Sequence, residues 1–193
     1  MSRGIALAAA LALAGCGEPS AEPPRAETPE AQLPAPVAAA SRPDAPVTPP
    51  EPGTPGGLPD DRTPVSEAPF TPQSAQGAGQ VVQTYFALIG TKKYAEAFRL
   101  WSDGGRASGQ DEAGFVRAMA AYPQHDAQIG APGEIEGAAG SLYVEIPVVI
   151  YGRNPDGSEF HRSGKAVLRR VNDVPGSTHE QRQWRIVRFD LEP

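Results

Sequence analysis

The sequence contains very little cysteine, since Cys16 is the only one among 193 residues. A single cysteine excludes an internal disulfide framework and a zinc site built on several cysteines. The chain also has fewer basic than acidic residues, with 17 Lys and Arg against 23 Asp and Glu and a formal net charge of −6. This balance excludes a nucleic-acid-binding protein of high isoelectric point.

Long apolar stretches are missing as well. After Arg3, residues 5–13 contain only Ile, Leu and Ala, which makes nine residues, whereas a transmembrane helix needs about 20. A positive residue followed by a short apolar segment is typical of a secretory signal peptide. We therefore predict that residues 1–15 are a signal peptide that is removed from the mature protein.

The motif Leu13-Ala14-Gly15-Cys16 follows the apolar segment. It resembles the lipobox of bacterial lipoproteins, in which the cysteine thiol is acylated and the chain is cleaved before that cysteine. The resemblance implies that Cys16 is the lipid attachment site, carrying fatty acids such as palmitate. Two or three acyl chains anchor a protein stably, because each buried CH₂ contributes about 0.8 kcal/mol. A buried structural cysteine is the alternative, but the Ala/Gly/Pro context of Cys16 provides no core.

Residue 17 indicates in which membrane the predicted lipoprotein would be anchored. Gly17 stands where the inner-membrane retention signal of many Gram-negative lipoproteins has Asp. We therefore expect a Gram-negative lipoprotein that is anchored in the outer membrane by its lipid and faces the periplasm.

Proline is concentrated in the segment that follows. Of the 22 prolines, 16 lie between Pro19 and Pro72. Proline removes backbone donors, and this segment has few large apolar groups to offset the entropy of the chain. We predict that residues 16–73 are a disordered tether with polyproline II bias, with a ligand for aromatic-lined grooves as the alternative.

Aromatic residues have the opposite distribution, because 12 of the 13 lie between Tyr85 and Phe189. We therefore place one globular domain at residues 74–193. Apolar residues at helical spacing predict a helix from Gln80 to a C-cap at Gly90 and a second helix that includes Trp101, with Thr91 as its N-cap. A third helix is predicted over residues 111–122.

Beyond residue 123 the apolar period becomes two. Residues 141–152 and 158–171 are predicted to form a hairpin around the turn Asn154-Pro155-Asp156-Gly157. Residues 183–191 predict a last strand and residues 128–135 a weaker first one, while Pro147 should mark an edge position or a bulge. Helices followed by an antiparallel sheet of about four strands indicate an α+β fold with the helices packed on one sheet face.

This order of elements resembles the nuclear-transport-factor-two-like fold, the cone shared by ketosteroid isomerase and scytalone dehydratase. The resemblance covers about residues 77–192, and its most telling stretch is VVQTYFALIGTKKYAEAFRLW at 81–101, which is similar to the first two helices of that family. The resemblance implies a curved, cone-like sheet behind the helices. It identifies a fold better than an activity.

In the enzymes of this family, a tyrosine of the first helix donates a hydrogen bond to a developing oxyanion, and Tyr85 falls near that place. The carboxylate base should follow the second helix on a strand of its own. Residues 103–110 instead form a glycine-rich loop, with no carboxylate between Asp103 and Asp111. The acid-base pair is therefore incomplete, and Tyr85 is predicted to be a core residue rather than a catalytic one.

The histidines His125, His161 and His179 lie in different predicted elements, without the spacing of metal ligands. We predict no metal and no cofactor. His125 and Asp126 could be a base and its orienting carboxylate. Adjacent strand residues point to opposite faces, however, so these two side chains should not meet.

Basic residues dominate the end of the sequence, where residues 162–188 hold seven of them against two acidic ones. The last two strands should pair and bring Arg169 and Arg170 to one end of the sheet. Arg182 and Arg185 should lie opposite, and facing like charges destabilise a sheet. A solvated strand face is one explanation, and a patch for an anionic envelope polymer is the other. The seven are Arg162, Lys165, Arg169, Arg170, Arg182, Arg185 and Arg188.

Three classes of function remain open. The first is a non-catalytic binding or accessory module of a membrane-anchored envelope lipoprotein, with an envelope protein, a small apolar ligand or an anionic polymer as partner. The second is a lyase- or isomerase-type enzyme that uses the cone pocket, and the third is a structural spacer or accessory subunit. The first leads, because the sequence contains no complete acid-base set. An open apolar pocket would favour an apolar ligand, and a closed apolar interior would favour the spacer.

Cys16 provides the first test. Mass spectrometry of protein extracted from membranes should find a mature N-terminus at an acylated Cys16, and Cys16→Ser should abolish acylation because the thiol is the acceptor. Wild-type protein that stays in solution and retains Met1 would contradict the lipoprotein prediction.

Overall fold

The computed structural model describes residues 45–60 and 70–192. The predicted signal peptide, the predicted lipid attachment site Cys16 and most of the predicted tether lie outside the described residues. Within them, helices are followed by an open antiparallel sheet of five strands, so the fold is mixed α+β, as the sequence predicted. No helix in these two ranges has the length and apolar character to cross a membrane.

Three α-helices precede the sheet: α1 (Ala75–Gly90), α2 (Tyr94–Phe98) and α3 (Glu112–Ala120). The Ser74 side chain accepts a hydrogen bond from the Gly77 amide (3.1 Å) and caps α1. The Asp111 carboxylate caps α3 in the same way through Gly114 (2.6 Å). Because residues 75–79 are only Ala, Gln and Gly, α1 begins before the apolar pattern that predicted it.

The junction between α1 and α2 differs from the prediction. Gly90 is the last residue of α1 rather than its cap, and Thr91 is the C-cap, with its hydroxyl donating to the Ala87 carbonyl (2.8 Å). Thr91 is therefore not the N-cap of α2, a place that Lys93 takes without a side-chain hydrogen bond. The second helix also ends before Trp101, at Phe98.

The strands are β1 (Gln124–Ile129), β2 (Glu136–Ala138), β3 (Ser141–Arg153), β4 (Glu159–Val171) and β5 (Arg185–Leu191). Their order is β1-β3-β4-β5, and β2 pairs with β3 next to β1. The predicted hairpin and last strand are confirmed. The first strand predicted at residues 128–135 is wrong. That range contains the end of β1 and the break before β2, so the sheet has five strands rather than the predicted four or so.

Pro147 lies opposite this break. Ile129 and Val148 are the last pair of the β1–β3 ladder. The Gly130 amide then donates to the Pro147 carbonyl (2.8 Å), and β2 begins only at Glu136. Since proline has no N–H to donate, it fits where the neighbouring ladder is interrupted. Pro147 thus occupies a gap in the pairing of a central strand.

The inner face of the sheet, defined by Val144, Ile146 and Val148 on β3, packs against the helices. All three side chains are buried, and β4 and β5 add Leu168 and Ile186 to the same core. The helices contribute mostly aromatic side chains, so this interior is filled by rings. The helix and loop residues at its centre are Val82, Tyr85, Phe86, Ile89, Phe98, Trp101 and Phe115.

The opposite, outer face of the sheet contacts residues 45–48, which lie within the predicted tether. Val47 is only 5% exposed, and its backbone is hydrogen-bonded to Gln124 on β1. Composition did not predict this contact, because the segment is held mainly through its backbone and not through large apolar side chains.

A second unpredicted contact follows α2. Trp101 forms a parallel bridge with Ile186 of β5, supported by hydrogen bonds from the Ser102 amide to the Ile186 carbonyl (2.8 Å) and from the Ile186 amide to the Leu100 carbonyl (2.9 Å). The chain then turns through a 3₁₀ segment, Asp103–Ser108. The turn uses positive φ angles at Gly104 (+66°) and Gly105 (+97°).

Alanine substitutions at Gly104 and Gly105 should differ in their effect on stability, because both positions have a positive φ but only Gly105 is crowded. A Cβ at Gly105 would lie 2.1 Å from the Phe98 ring, whereas one at Gly104 would meet nothing within 4 Å. Gly104→Ala should lower the free energy of unfolding by about 1–2 kcal/mol through strain alone. Gly105→Ala should cost roughly 1–3 kcal/mol more, because Phe98 must move. Urea unfolding of both variants gives the comparison, and equal losses would show that Phe98 does not restrict this position.

Candidate functional site

The seven predicted basic residues are spread over both sheet faces and the loop before β5. Arg162 lies over the Phe160 ring, 5.7 Å from its centroid. Three others form ion pairs with carboxylates, which neutralise them locally. These pairs are Lys165 with Glu145 (2.7 Å), Arg182 with Asp173, and Arg188 with Asp190 (2.9 Å).

The remaining three, Arg169, Arg170 and Arg185, line a cleft of about 470 Å³ at the end of the sheet. Arg99 also lines this cleft, which we call the basic cleft. Its four guanidinium groups face only two acidic residues in the lining, Asp103 and Glu180, so positive charge is in excess in the cleft.

Strand register brings the arginines together. Arg169 of β4 pairs directly with Arg185 of β5, as predicted. The prediction is wrong for Arg182, which lies before β5 and pairs with Asp173. A register shift between Val167 and Leu168 precedes this pair. The bridge between Trp101 and Ile186 places the end of α2, and with it Arg99, beside the start of β5.

The arginines of the basic cleft have few protein partners. The Arg169 Nε donates to the Ser141 hydroxyl (3.0 Å), and an Arg185 Nη makes a long contact with the Trp184 carbonyl (3.4 Å). The Arg170 guanidinium lies 5.5 Å from the Trp184 ring centroid, and its Nε is buried without an acceptor. Across residues 45–60 and 70–192, none of these guanidinium groups, nor that of Arg99, has a carboxylate within 4.0 Å.

This arrangement is suited to binding an anion. A guanidinium presents parallel N–H donors that match the oxygens of a carboxylate or phosphate. Ser102 and Gln183 add further polar groups to the lining. The cleft can therefore hold a group with several acidic oxygens.

Arg99 and Trp101 were not identified as site residues from the sequence. They lie at the cleft because Trp101 forms a bridge with Ile186, which is more than 80 positions later in the chain. No local sequence pattern predicts such a long-range contact. The only available signal was the polar position of Arg99 on the second predicted helix.

His125 lies on the inner face, among aromatic rings. It stacks on Phe86 at 6.0 Å and contacts the rings of Tyr122 (5.2 Å) and Phe160 (5.8 Å). Asp126 instead accepts a hydrogen bond from Gln124 (2.9 Å), so the prediction that His125 and Asp126 do not meet is confirmed. Burial lowers the pKa of the His125 imidazole, and the charge of Asp126 opposes this effect.

Tyr85 is 3% exposed and lies inside the core, as predicted. Its ring contacts those of Phe86 (5.0 Å), Phe189 (5.7 Å) and Trp101 (6.1 Å). Burial raises the pKa of the Tyr85 hydroxyl far above its ordinary value, and hydrogen bonding with Trp101 partly opposes this shift. The hydroxyl is therefore neutral throughout the physiological pH range.

The other two histidines lie apart from the basic cleft lining. His161 is on the outer face and contacts the Thr48 carbonyl (2.7 Å), while His179 is an exposed residue of the loop before β5. No group of three His, Cys, Asp or Glu side chains able to hold a metal ion occurs in the part of the chain that the structure describes.

Comparisons with known proteins assign no family, since no family model, curated protein or solved structure matches the chain. The resemblances to bacterial lipoproteins and to the nuclear-transport-factor-two-like fold stay predictions.

The buried imidazole predicts a pH dependence of stability. Because the pKa of His125 is lowered in the folded state, the unfolded chain binds more protons below the ordinary imidazole pKa of about 6.5. Stability should therefore fall as the pH drops through that value. His125→Phe keeps a ring but removes this proton uptake, so its free energy of unfolding should fall less than that of the wild type between pH 7.5 and 5. Parallel urea titrations at the two pH values measure the difference, and equal losses would contradict the assignment.

Proposed function

We propose that this chain is an outer-membrane lipoprotein, anchored through Cys16, whose α+β domain binds an anionic envelope polymer in the basic cleft. The observation that carries this proposal is the direct pairing of Arg169 with Arg185, with no carboxylate within 4.0 Å of either guanidinium group among the described residues. The anchor rests on the sequence, through the resemblance of residues 13–16 to a lipobox.

Electrostatics supports a ligand at this position. Like charges directly opposite each other in a sheet are destabilising, by roughly 0.2–1 kcal/mol. Two other basic side chains of these strands have carboxylate neighbours, since Lys165 of β4 pairs with Glu145 and Arg188 of β5 pairs with Asp190. Arg169 and Arg185 have no such neighbour, so a bound carboxylate or phosphate would remove a repulsion that the protein itself leaves in place.

The filled interior argues against an apolar ligand at the centre of the domain. The aromatic rings of Tyr85, Phe86 and Phe189 contact one another between α1 and the sheet. An apolar molecule would have to displace them. The basic cleft, at about 470 Å³, has the size of an ordinary small-molecule site and a lining rich in charged and amide side chains.

The domain is proposed to be a nuclear-transport-factor-two-like cone with N-terminal helices on a curved sheet. In support, the bridge between Trp101 and Ile186 stands where that resemblance expects a strand after the second helix. The enzyme alternative is not supported, because Trp101 is followed by Ser102 and the turn Asp103–Ser108 rather than by a strand that carries a carboxylate base.

Binding is tested with the full-length protein, extracted from membranes, and two defined polyanions: polygalacturonate for carboxylates and polyphosphate for phosphates. The wild type should bind at least one of them at low salt. Arg169→Gln combined with Arg185→Gln should weaken that binding at least tenfold, because a hydrogen bond to a charged group contributes about 1.5–3 kcal/mol. Binding should also weaken as salt rises from about 0.1 to 0.3 M, where screening shortens the range of the attraction.

The matched control is Lys92→Gln combined with Arg117→Gln, which makes the same change in net charge at two exposed positions outside the cleft lining. This control should bind like the wild type. Failure of the wild type to bind either polymer, or equal weakening by the control, would contradict the proposal. The cleft variant should be at least as stable as the wild type, which separates lost binding from lost folding.

A further inference from the structure

Residues 45–48 lie across three strands on the outer face of the sheet, away from the basic cleft. Each strand provides one side chain that contacts the backbone of this segment. The side chains are Gln124 of β1, Arg153 of β3 and His161 of β4. We call this set the outer-face clamp.

Gln124 makes the most specific contact of the clamp. The Val47 amide donates to the Gln124 Oε1 (2.8 Å), and the Gln124 Nε2 donates to the Val47 carbonyl (3.0 Å). One side-chain amide thus satisfies both backbone groups of a single residue, as a hydrogen-bonded pair in an antiparallel ladder does. The Nε2 also donates to Asp126 (2.9 Å), which fixes the orientation of the amide.

Arg153 and His161 bind the carbonyls on either side. An Arg153 Nη donates to the Ala45 carbonyl (3.0 Å), and the guanidinium is held in place by the Gly157 carbonyl (3.0 Å) and by Glu159 (3.1 Å). The His161 Nε2 donates to the Thr48 carbonyl (2.7 Å), since a carbonyl can only accept. Three carbonyls and one amide of a four-residue segment are therefore recognised by side chains.

The apolar component of the contact is small and localised. Val47 is 5% exposed, and Val149, which points to the outer face of β3, is fully buried. Leu58 lies close to Gly130, the residue that follows β1, since a Cβ built on Gly130 would lie 3.5 Å from the Leu58 Cδ2. Prolines at 46 and 49 flank Val47 and restrict the backbone before binding, which lowers the entropy lost on binding.

We propose that the outer-face clamp is a peptide-binding site for an extended Ala-Pro-Val-Thr segment, and that the chain's own residues 45–48 occupy it. Recognition runs through the peptide backbone, with Val47 as the only buried side chain of the segment. This site is independent of the basic cleft and takes a different class of ligand. A partner peptide of the same kind gains access only when the chain's own segment leaves.

The test uses the full chain and a labelled peptide with the sequence of residues 43–50. Val47→Asp in the protein would bury a charge and should expel the chain's own segment. This variant should bind the peptide at least tenfold more tightly than the wild type, because occupancy by the chain's own segment reduces the apparent affinity of the wild type. A peptide that carries the same Val47→Asp change should not bind.

Two matched controls define the site. Val174→Asp alters a valine that is 48% exposed in the loop before β5 and should not open the site. In the Val47→Asp background, Gln124→Ala should abolish peptide binding, whereas Gln83→Ala, at an exposed glutamine of α1, should not. A folded Val47→Asp protein that fails to bind the peptide overturns the proposal, as does equal binding by the wild type.

A measurement on the wild type covers the case in which Val47→Asp does not fold. The Val47 amide should be protected from hydrogen exchange in the wild type, and Gln124→Ala should remove that protection while the amides of β3 stay protected. Exchange of the wild-type Val47 amide at the rate of an unstructured peptide overturns the proposal.

Discussion

The antiparallel pairing of β3 with β4 is the interaction on which the rest of the structure depends. It runs without a break from Ser141 opposite Val171 to Arg153 opposite Glu159. Its inner face carries the centre of the core. One end places Arg169 and Arg170 in the basic cleft, and the other end places Arg153 and His161 in the outer-face clamp. A shift of this register by one residue would reverse both faces and remove both sites.

The parts of the structure that the sequence predicted are those with strong local periodicity. The alternation along β3, the turn at 154–157 and the apolar stripe of α1 each depend on neighbouring residues, so their patterns are visible in one segment. The same reasoning placed Tyr85 in the core and opposed Arg169 to Arg185. The short strands β1 and β2 were misplaced, because half-exposed residues and glycines carry no alternation there.

The contacts that the sequence did not predict are long-range and involve mainly the backbone. Trp101 reaches Ile186 through one parallel bridge, and residues 45–48 reach the sheet through carbonyls and one amide. Backbone groups are the same in every residue, so composition cannot distinguish a bound proline-rich segment from an unbound one. Arg99 and Trp101 of the basic cleft and all of the outer-face clamp were missed for this reason.

The chain contains two tryptophans, and both adjoin the basic cleft. Trp101 lines it, and Trp184 lies beneath the Arg170 guanidinium while its indole N–H donates to the Ser74 carbonyl (3.1 Å). Indole emission depends on nearby charge and solvent, and no third indole is present to obscure the signal. The domain therefore contains an intrinsic optical reporter, through which occupancy of the cleft can be followed by fluorescence without an added label.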